Sequence, residues 1–490
     1  MVLMYVKFIL LYEISKYLQE KFNQNQKISR PKETSLGLPY AKEKLGQLRR
    51  APENFLPKEF SVELSREGMS EPRRSFLRKS FLGAVAAGFA VGPAAKAIAQ
   101  AGPDDPAILE KQIWQTTLGQ PVAVKPYGTP SIYETYLQRR ESPGLTRVSA
   151  ASVSFAPLQG FFGIITPNGL HFERHHQGWY DIDPNKHRLM INGLVKKPMV
   201  FTMDDLMRLP CVSKIHFIEC GANTGMEWGN VAVPTVQYTH GMVSCCEFTG
   251  VPLSLLLEMA GVDLKKGKYV LAEGNDGSGM TRTIPMERAL DDVMVAWAMN
   301  GEMLRPENGY PLRLVVPGVQ GVSWVKWLRR IEVGDEPYGT KDEAIHYVDL
   351  MPDGLHRQYT SIQECKSVIT TPSGGQQLLT TGFYNISGLA WSGRGKVTRV
   401  DVSVDGGKNW NTARLELPVL DKSLTRFNID WVWDGKPAIL QSRAVDSTGY
   451  VQPSIRVLRE KRGTRSVYHN NAIQSWKVDT NGEVSNVQVG

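Results

Sequence analysis

From about residue 370 onward, apolar side chains fall on every second position, and each run stops at a turn signal. Val400, Val402 and Val404 alternate with Arg399, Asp401 and Ser403 and end at Asp405-Gly406-Gly407. Ile429, Trp431 and Trp433 do the same ahead of Asp434-Gly435. A period of two fits a strand, whose successive side chains point to opposite faces, and Asp-Gly pairs supply the backbone that tight hairpins need. Gln441–Val445, bounded by Asp446-Ser447-Thr448-Gly449, is a further short strand. Short strands at this spacing predict a β-sandwich over residues 370–490.

The preceding stretch reads differently. Between His171 and about Asp335, short apolar runs alternate with Gly and Pro. Thr202 is placed to cap a helix with Asp204 and Asp205 in its first turn. Val251-Pro252-Leu253 to Ala260-Gly261 predicts a second helix, with proline at its start and glycine just past its end. Leu312–Val316 is a short strand stopped by Pro317-Gly318. The fold class is therefore α+β, with the first folded domain at residues 171–365. Residues 100–170 are rich in Pro and Gly and predict an extended arm over the surface.

The net charge of +8 has a single source. Residues 1–99 hold 17 Lys/Arg against 9 Asp/Glu, and residues 100–490 are neutral. The body thus offers no field for nucleic acid or an anionic membrane. Within the leader, Arg73-Arg74-Ser75-Phe76-Leu77 precedes an Ala/Gly-rich apolar stretch and Ala97-Ile98-Ala99. This order of charged, apolar and small-residue segments predicts export, and the arginine pair resembles a twin-arginine signal over residues 69–99. That route carries folded proteins and places the mature chain in the periplasm. Met69 makes a natural start, so residues 1–68 read as an upstream extension of the reading frame. From Gly102 on, no run of about 18 apolar residues occurs, so no membrane insertion of the mature chain is expected. Cys211, Cys220, Cys245, Cys246 and Cys365 contain no Cys-x-x-Cys spacing and no Cys-x-x-Cys-His, which argues against zinc ribbons, iron–sulfur clusters and a c-type haem on this chain. The adjacent pair Cys245-Cys246 reads as buried packing.

The most reactive segment is Phe217-Ile218-Glu219-Cys220-Gly221-Ala222-Asn223-Thr224-Gly225, an apolar strand ending on a cysteine followed by small residues that let the backbone approach a bulky group. Taken with Phe172-x-Arg174-x-His176, Asp276, Arg313, Pro317-Gly318 and Val325-Lys326-Trp327-Leu328, it resembles the sulfite oxidase family of molybdenum enzymes. Val402-Ser403-Val404-Asp405-Gly406-Gly407-Lys408-Asn409-Trp410 resembles that family's immunoglobulin-like dimerisation domain. The resemblance covers about residues 165–480. It implies one molybdenum ion held by molybdopterin, with the Cys220 thiolate as metal ligand. It implies cofactor contacts from Phe172, Arg174, His176, Asp276, Arg313 and Lys326, and catalytic roles for Cys220, Arg174 and Tyr347. Asn308 stands where many relatives carry a cofactor-binding histidine, and its role is open.

Two departures bear on substrate. The position of a second sulfite-pocket arginine is Gly225, and the family's pocket tryptophan is replaced by Tyr238. Losing a charge-assisted bond worth about 1.5–3 kcal/mol weakens capture of a small dianion and opens space. The variant resembles the molybdenum subunits of bacterial sulfane dehydrogenases. That likeness implies oxygen-atom transfer from water to a sulfane sulfur on a sulfur-carrier protein, with electrons leaving to a c-type cytochrome subunit. It also implies a homodimer within a heterotetramer. Arg462 or a neighbouring tail arginine is expected to reach the pocket. The rival readings are a periplasmic sulfite dehydrogenase acting on free sulfite, a relative that reduces methionine sulfoxide, against which the β-rich tail argues, and a non-catalytic exported scaffold.

Overall fold

A computed structural model describes residues 47–48, 130–141, 151–344, 346–358, 362–464 and 468–489. One compact unit takes in residues 133–490 together with 1–49; the other, residues 50–132, is described only at 130–132. The twin-arginine segment at 69–99 lies outside the described residues, as does all of the upstream extension except 47–48.

The expected surface arm is partly core. Strands β1 (Val153–Phe155) and β2 (Glu173–Arg174) pair antiparallel, with Val153 opposite Arg174. Val153, Phe155, Ala156, Leu158 and Phe161 are buried. Residues 151–170 are extended apart from short 3₁₀ turns at Leu158–Gly160 and Asn168–Leu170. The apolar side chains of 153–161 turn inward, because covering apolar surface is worth about 25 cal/mol per Å², while Phe162 stays exposed.

The domain that follows is built on two sheets. Its elements are β3 (Leu189–Gly193), β4 (Met199–Phe201), α1 (Met203–Met207), β5 (Val212–Glu219), α2 (Val236–His240), β6 (Val243–Pro252), α3 (Leu253–Ala260), β7 (Tyr269–Gly274), β8 (Thr281–Pro285), β9 (Met294–Met299), β10 (Arg313–Val315), β11 (Leu328–Gly334) and β12 (Val348–Leu350). One sheet runs β8-β7-β11-β3-β4, with β11 parallel to β3. In the other, β6 lies between β5 and β9, and β9 also pairs β10. The expected caps form. Thr202 accepts from the Asp205 amide while the Asp205 carboxylate accepts from the Thr202 amide, closing α1 with a reciprocal box. Gly261 ends α3 in the left-handed conformation that glycine adopts without cost.

The second domain begins at Lys366, four residues before the expected boundary. Strands β13 (Lys366–Thr371), β14 (Gly382–Trp391), β15 (Val397–Ser403), β16 (Thr425–Trp433) and β17 (Ala438–Asp446) are followed by helix α4 (Ile455–Arg462), β18 (Ser475–Val478) and β19 (Val484–Val487). One sheet contains β13-β14-β16 and the other β15-β17-β18-β19. The sheets face each other, and the Ser367 hydroxyl meets that of Ser442 at 2.9 Å between them. The alternating strands are present, but of the polar face of β15 only Arg399 is exposed. Asp401 and Ser403 are buried. Asp401 accepts from Thr412 and Arg443, both at 3.1 Å, and the Ser403 hydroxyl donates to Asp405 at 2.7 Å. Buried polar groups are tolerated when paired in this way.

The domains meet along a hydrogen-bonded boundary. Arg426 on β16 donates to the carbonyls of Gly163 and Phe161 at 2.9 and 3.0 Å, and the Phe217 amide donates to Lys422 O at 3.0 Å. The five cysteines carry free thiols; Cys245 and Cys246 are buried on β6, as their packing role requires. Among the described residues, no helix is long and apolar enough to cross a membrane.

Candidate active site

Strand β5 delivers Cys220. Its last four residues are buried, and Cys220 follows at 9% exposure. The Cys220 amide donates to Met242 O at 3.0 Å, and the chain then folds back so that the Asn223 amide donates to Cys220 O at 2.9 Å. Asn223 holds this loop: its side-chain amide donates to His240 O and to Glu219, and its oxygen accepts from the Met242 amide. A Cβ at 221 would lie 2.2 Å from Gln320 Oε1, so any larger residue there would have to displace the end of that side chain.

Cys220 opens into a partly enclosed cavity. All eight residues singled out in the sequence, Phe172, Arg174, His176, Cys220, Asp276, Arg313, Lys326 and Tyr347, line it. Asn308 lines it too. Tyr238 does not: it sits on α2, packed edge-on against Phe155 at 5.4 Å. Gly225 starts a short 3₁₀ turn and is likewise off the lining. Arg462 itself does not line the pocket: it is buried against Glu364 at 3.1 Å, while Arg465, a neighbouring tail arginine, lies outside the described residues. The tail does bring Tyr468 up behind the lining residue Tyr347, its ring stacked at 5.0 Å. His171, His175 and Trp327 were missed as lining residues. His175 had a signal, being flanked by two named residues; Tyr468 had none, because only the tertiary path of the tail brings it there.

The cavity is rich in cations that, among the described residues, have no ion-pair partner. Among the described residues, no carboxylate lies within 4 Å of Arg174, Arg313 or Lys326, although Asp276 and Glu307 share the lining. Arg313 donates to Asn308 O at 3.0 Å, its Nε has no partner, and burial lowers its pKa to about 10. Lys326 points its Nζ at Arg174 O, Glu307 O and His175 Nδ1, at 3.2, 3.1 and 2.8 Å. Three acceptors match the three donors of an ammonium, so Lys326 contributes charge and has no N–H to spare. Burial, followed by the Arg313 guanidinium, holds it well below the usual lysine range. The histidines are neutral. Burial first, then a neighbouring cation, lowers His171 to about 3, His175 to about 2 and His176 to about 4. Burial also raises the Cys220 thiol, against the Ala222 amide and Arg174.

Tyr347 is fixed from several sides. Its hydroxyl is 3.0 Å from His176 Nε2, its amide donates to the Tyr468 hydroxyl, and the Arg282 guanidinium lies 5.5 Å from its ring centre. Burial, with the Cys220 thiol next, pushes the phenol up. Tyr347, Trp327 and Thr224 adopt positive φ of 56°, 54° and 66°, which non-glycine residues rarely do.

The oxidoreductase molybdopterin binding domain family matches residues 176–341, and the Mo-co oxidoreductase dimerisation domain family matches residues 357–476. The crystal structure of the sulfane dehydrogenase SoxCD from Paracoccus pantotrophus contains a chain 50% identical to this one, with a TM-score of 0.77; the match covers 79% of this chain and 100% of that one. The chain belongs to the sulfite oxidase family of molybdopterin oxidoreductases. Mitochondrial sulfite oxidase of Mus musculus, another relative, is 35% identical over 272 residues, 52% of this chain and 50% of that protein. The NADH nitrate reductase of Solanum lycopersicum is 33% identical over 306 residues, 55% of this chain and 33% of that protein. The chain thus spans half the length of one and a third of the other.

The cavity of this family member suits the molybdenum cofactor on its own chemistry. A pterin phosphate would bring negative charge toward Arg313 and Lys326, and a polar ring system would bring donors and acceptors. Asn308 Oδ1, His171 Nε2 and Arg313 Nε are buried polar atoms with no partner. Such atoms cost about 1–3 kcal/mol each when left unmatched, so they mark where a ligand would complete the structure. Cys220 supplies a soft sulfur donor in the same cavity.

Proposed function

We propose that this protein is the molybdenum subunit of a periplasmic sulfane dehydrogenase. It would oxidise a sulfane sulfur held on a carrier-protein cysteine, with water as oxygen source and a c-type cytochrome as electron acceptor. The observation that carries this reading is the cavity itself: a buried cysteine, three cations without ion-pair partners and a fixed tyrosine, in a chain half identical to the whole of a sulfane dehydrogenase chain. The dimerisation-domain family at residues 357–476 supports assembly as a homodimer, paired with the cytochrome in a heterotetramer.

The molybdenum cofactor, when bound, supplies oxygen-atom transfer to sulfur; each cycle adds one oxygen from water and releases two protons and two electrons. The chain supplies placement and charge. Arg313, Lys326 and Asp276 would anchor the pterin, with His171 and Asn308 completing its hydrogen bonds. Cys220 would fix the metal at the end of β5. Arg174 would steady negative charge growing on the oxidised sulfur, as preorganised cations do. Tyr347 would donate to the substrate oxygen. His176, neutral and 3.0 Å from the Tyr347 hydroxyl, is placed to orient that hydroxyl by a hydrogen bond.

The test is metal analysis and steady-state kinetics on protein purified from its native host. About one molybdenum per chain and a strong preference for sulfane-loaded carrier are expected. A strong preference for free sulfite would make the protein a sulfite dehydrogenase, and active protein free of molybdenum would end the reading. Cys220→Ser should lose the thiolate-to-metal absorption and turnover; wild-type turnover with full metal would remove Cys220 from its role.

A further inference from the structure

Glu219 stands immediately before Cys220 and is 3% exposed. A carboxylate in that position needs donors, and the second domain provides most of them. Lys366 Nζ, on β13, lies 2.9 Å from Glu219 Oε1, and Trp391 Nε1, on β14, donates to Oε2 at 2.9 Å. From its own domain, Asn223 Nδ2 donates to Oε1 at 3.0 Å. Lys366 Nζ also donates to the Thr224 hydroxyl at 2.8 Å, at the strained end of the same loop. Two residues of the tail finish the attachment. The His469 amide donates to Gly221 O at 2.7 Å, and Asn470 Nδ2 donates to Thr224 O at 3.3 Å. Residues 219–224 are therefore tied at both ends and the middle to the sandwich domain.

We propose that Glu219 is a positioning residue for the Cys220 sulfur, and that the sandwich domain sets the aim of that sulfur through Lys366 and Trp391. The carboxylate fixes the strand end from which Cys220 projects, while the Lys366 ammonium bridges Glu219 to Thr224 and so fixes the loop's width. Side-chain rotation at Cys220 is thereby governed from the neighbouring domain. The inference rests on Cys220 as the metal ligand and is independent of which sulfur compound is oxidised.

The experiment uses the full-length, cofactor-loaded protein in four variants. Glu219→Gln/Lys366→Met removes the pair without leaving a lone buried charge. Trp391→Phe removes a single donor and keeps most of the ring. Arg426→Leu cuts the domain boundary elsewhere, at Phe161 and Gly163. Cys220→Ser reports the ligand. The readouts are molybdenum per chain, thermal midpoint, kcat and KM, and the electron paramagnetic resonance spectrum of the partly reduced centre. The expected result is a changed spectrum in the double variant, with kcat lower by roughly tenfold to a hundredfold at constant KM. Trp391→Phe should shift the spectrum in the same direction by less. Arg426→Leu should lower the thermal midpoint and leave the spectrum unchanged. A metal-free double variant with a thermal midpoint no lower than that of Arg426→Leu also supports the proposal, and if the double variant fails to fold, Trp391→Phe decides. Wild-type spectrum and kcat in loaded Glu219→Gln/Lys366→Met, or a wild-type spectrum in Trp391→Phe, would overturn it. If Cys220→Ser keeps the sulfur-to-metal absorption, the ligand assignment itself falls, and the positioning role with it; if the absorption is lost while the Glu219 variants match wild type, only the positioning role is refuted.

Discussion

Arg313→Met should strengthen the cofactor-free protein and weaken the loaded one. Arg313 is buried on β10, 4% exposed, with no carboxylate partner and an unpartnered Nε. Burial brings its pKa from 12.5 to about 10, and a difference of that size corresponds to about 3 kcal/mol against folding of the charged form. Both values lie above neutrality, so the penalty is constant near pH 7. It fades only as pH rises past about 10, where the native state releases the proton first. Methionine fills similar space without the charge. Its substitution forfeits the bond to Asn308 O, worth about 1 kcal/mol, leaving a net gain of about 2 kcal/mol for the empty protein. With cofactor present the sign reverses. One charge-assisted contact to an anion is worth about 1.5–3 kcal/mol, or roughly a tenfold to hundredfold loss of affinity. The assay is urea unfolding of wild type and variant made in a host that cannot synthesise molybdopterin, alongside metal content of both made in one that can. An empty variant less stable than wild type, or a variant that retains wild-type metal, would refute the idea that Arg313 is a cation kept for an anionic ligand.

Other consequences are as direct. Tyr347→Phe removes the hydroxyl 3.0 Å from His176 and should lower kcat roughly a hundredfold; stopped-flow turnover measures it, and an unchanged kcat would remove the donor role. Lys366→Met leaves Glu219 as a lone buried anion and should destabilise the fold by about 3–5 kcal/mol in denaturant titrations. Burial opposes ionisation of Glu364, but hydrogen bonds and charge from His469 and Arg462, with Tyr450 adding a bond, hold its carboxylate well below the usual range. Its contribution is present above pH 4.5 and lost as pH falls toward the native value, so Glu364→Gln should flatten the acid limb of the stability curve, read by thermal scans across acid pH.

Local chemistry was the most legible part of the sequence. Thr202 and Asp205 carry their own capping geometry, and Gly261 its helix end, so neither needed tertiary information. The alternation of β15 and β16 marked strands correctly, but it could not show that Asp401 and Ser403 are buried, because their partners Thr412, Arg443 and Asp405 become neighbours only in the folded sheet. The buried run Val153–Phe161 is too short and too interrupted by proline to display a period. The lining residues were legible through their joint occurrence. Tyr238 and Arg462 misled because position along the chain says little about which way a helix or tail turns a side chain. Glu219 was in plain view beside Cys220, yet its meaning depends on Lys366 and Trp391, more than 140 residues away.

Trp327 and Tyr347 on the cavity rim, and Thr224 on the loop after Cys220, hold backbone shapes that cost about 1–3 kcal/mol apiece. Such twist cannot be created by a ligand on arrival; it is stored while the polypeptide folds and kept there by the packing of both domains. The rim is thus wound like a spring before any sulfur compound enters.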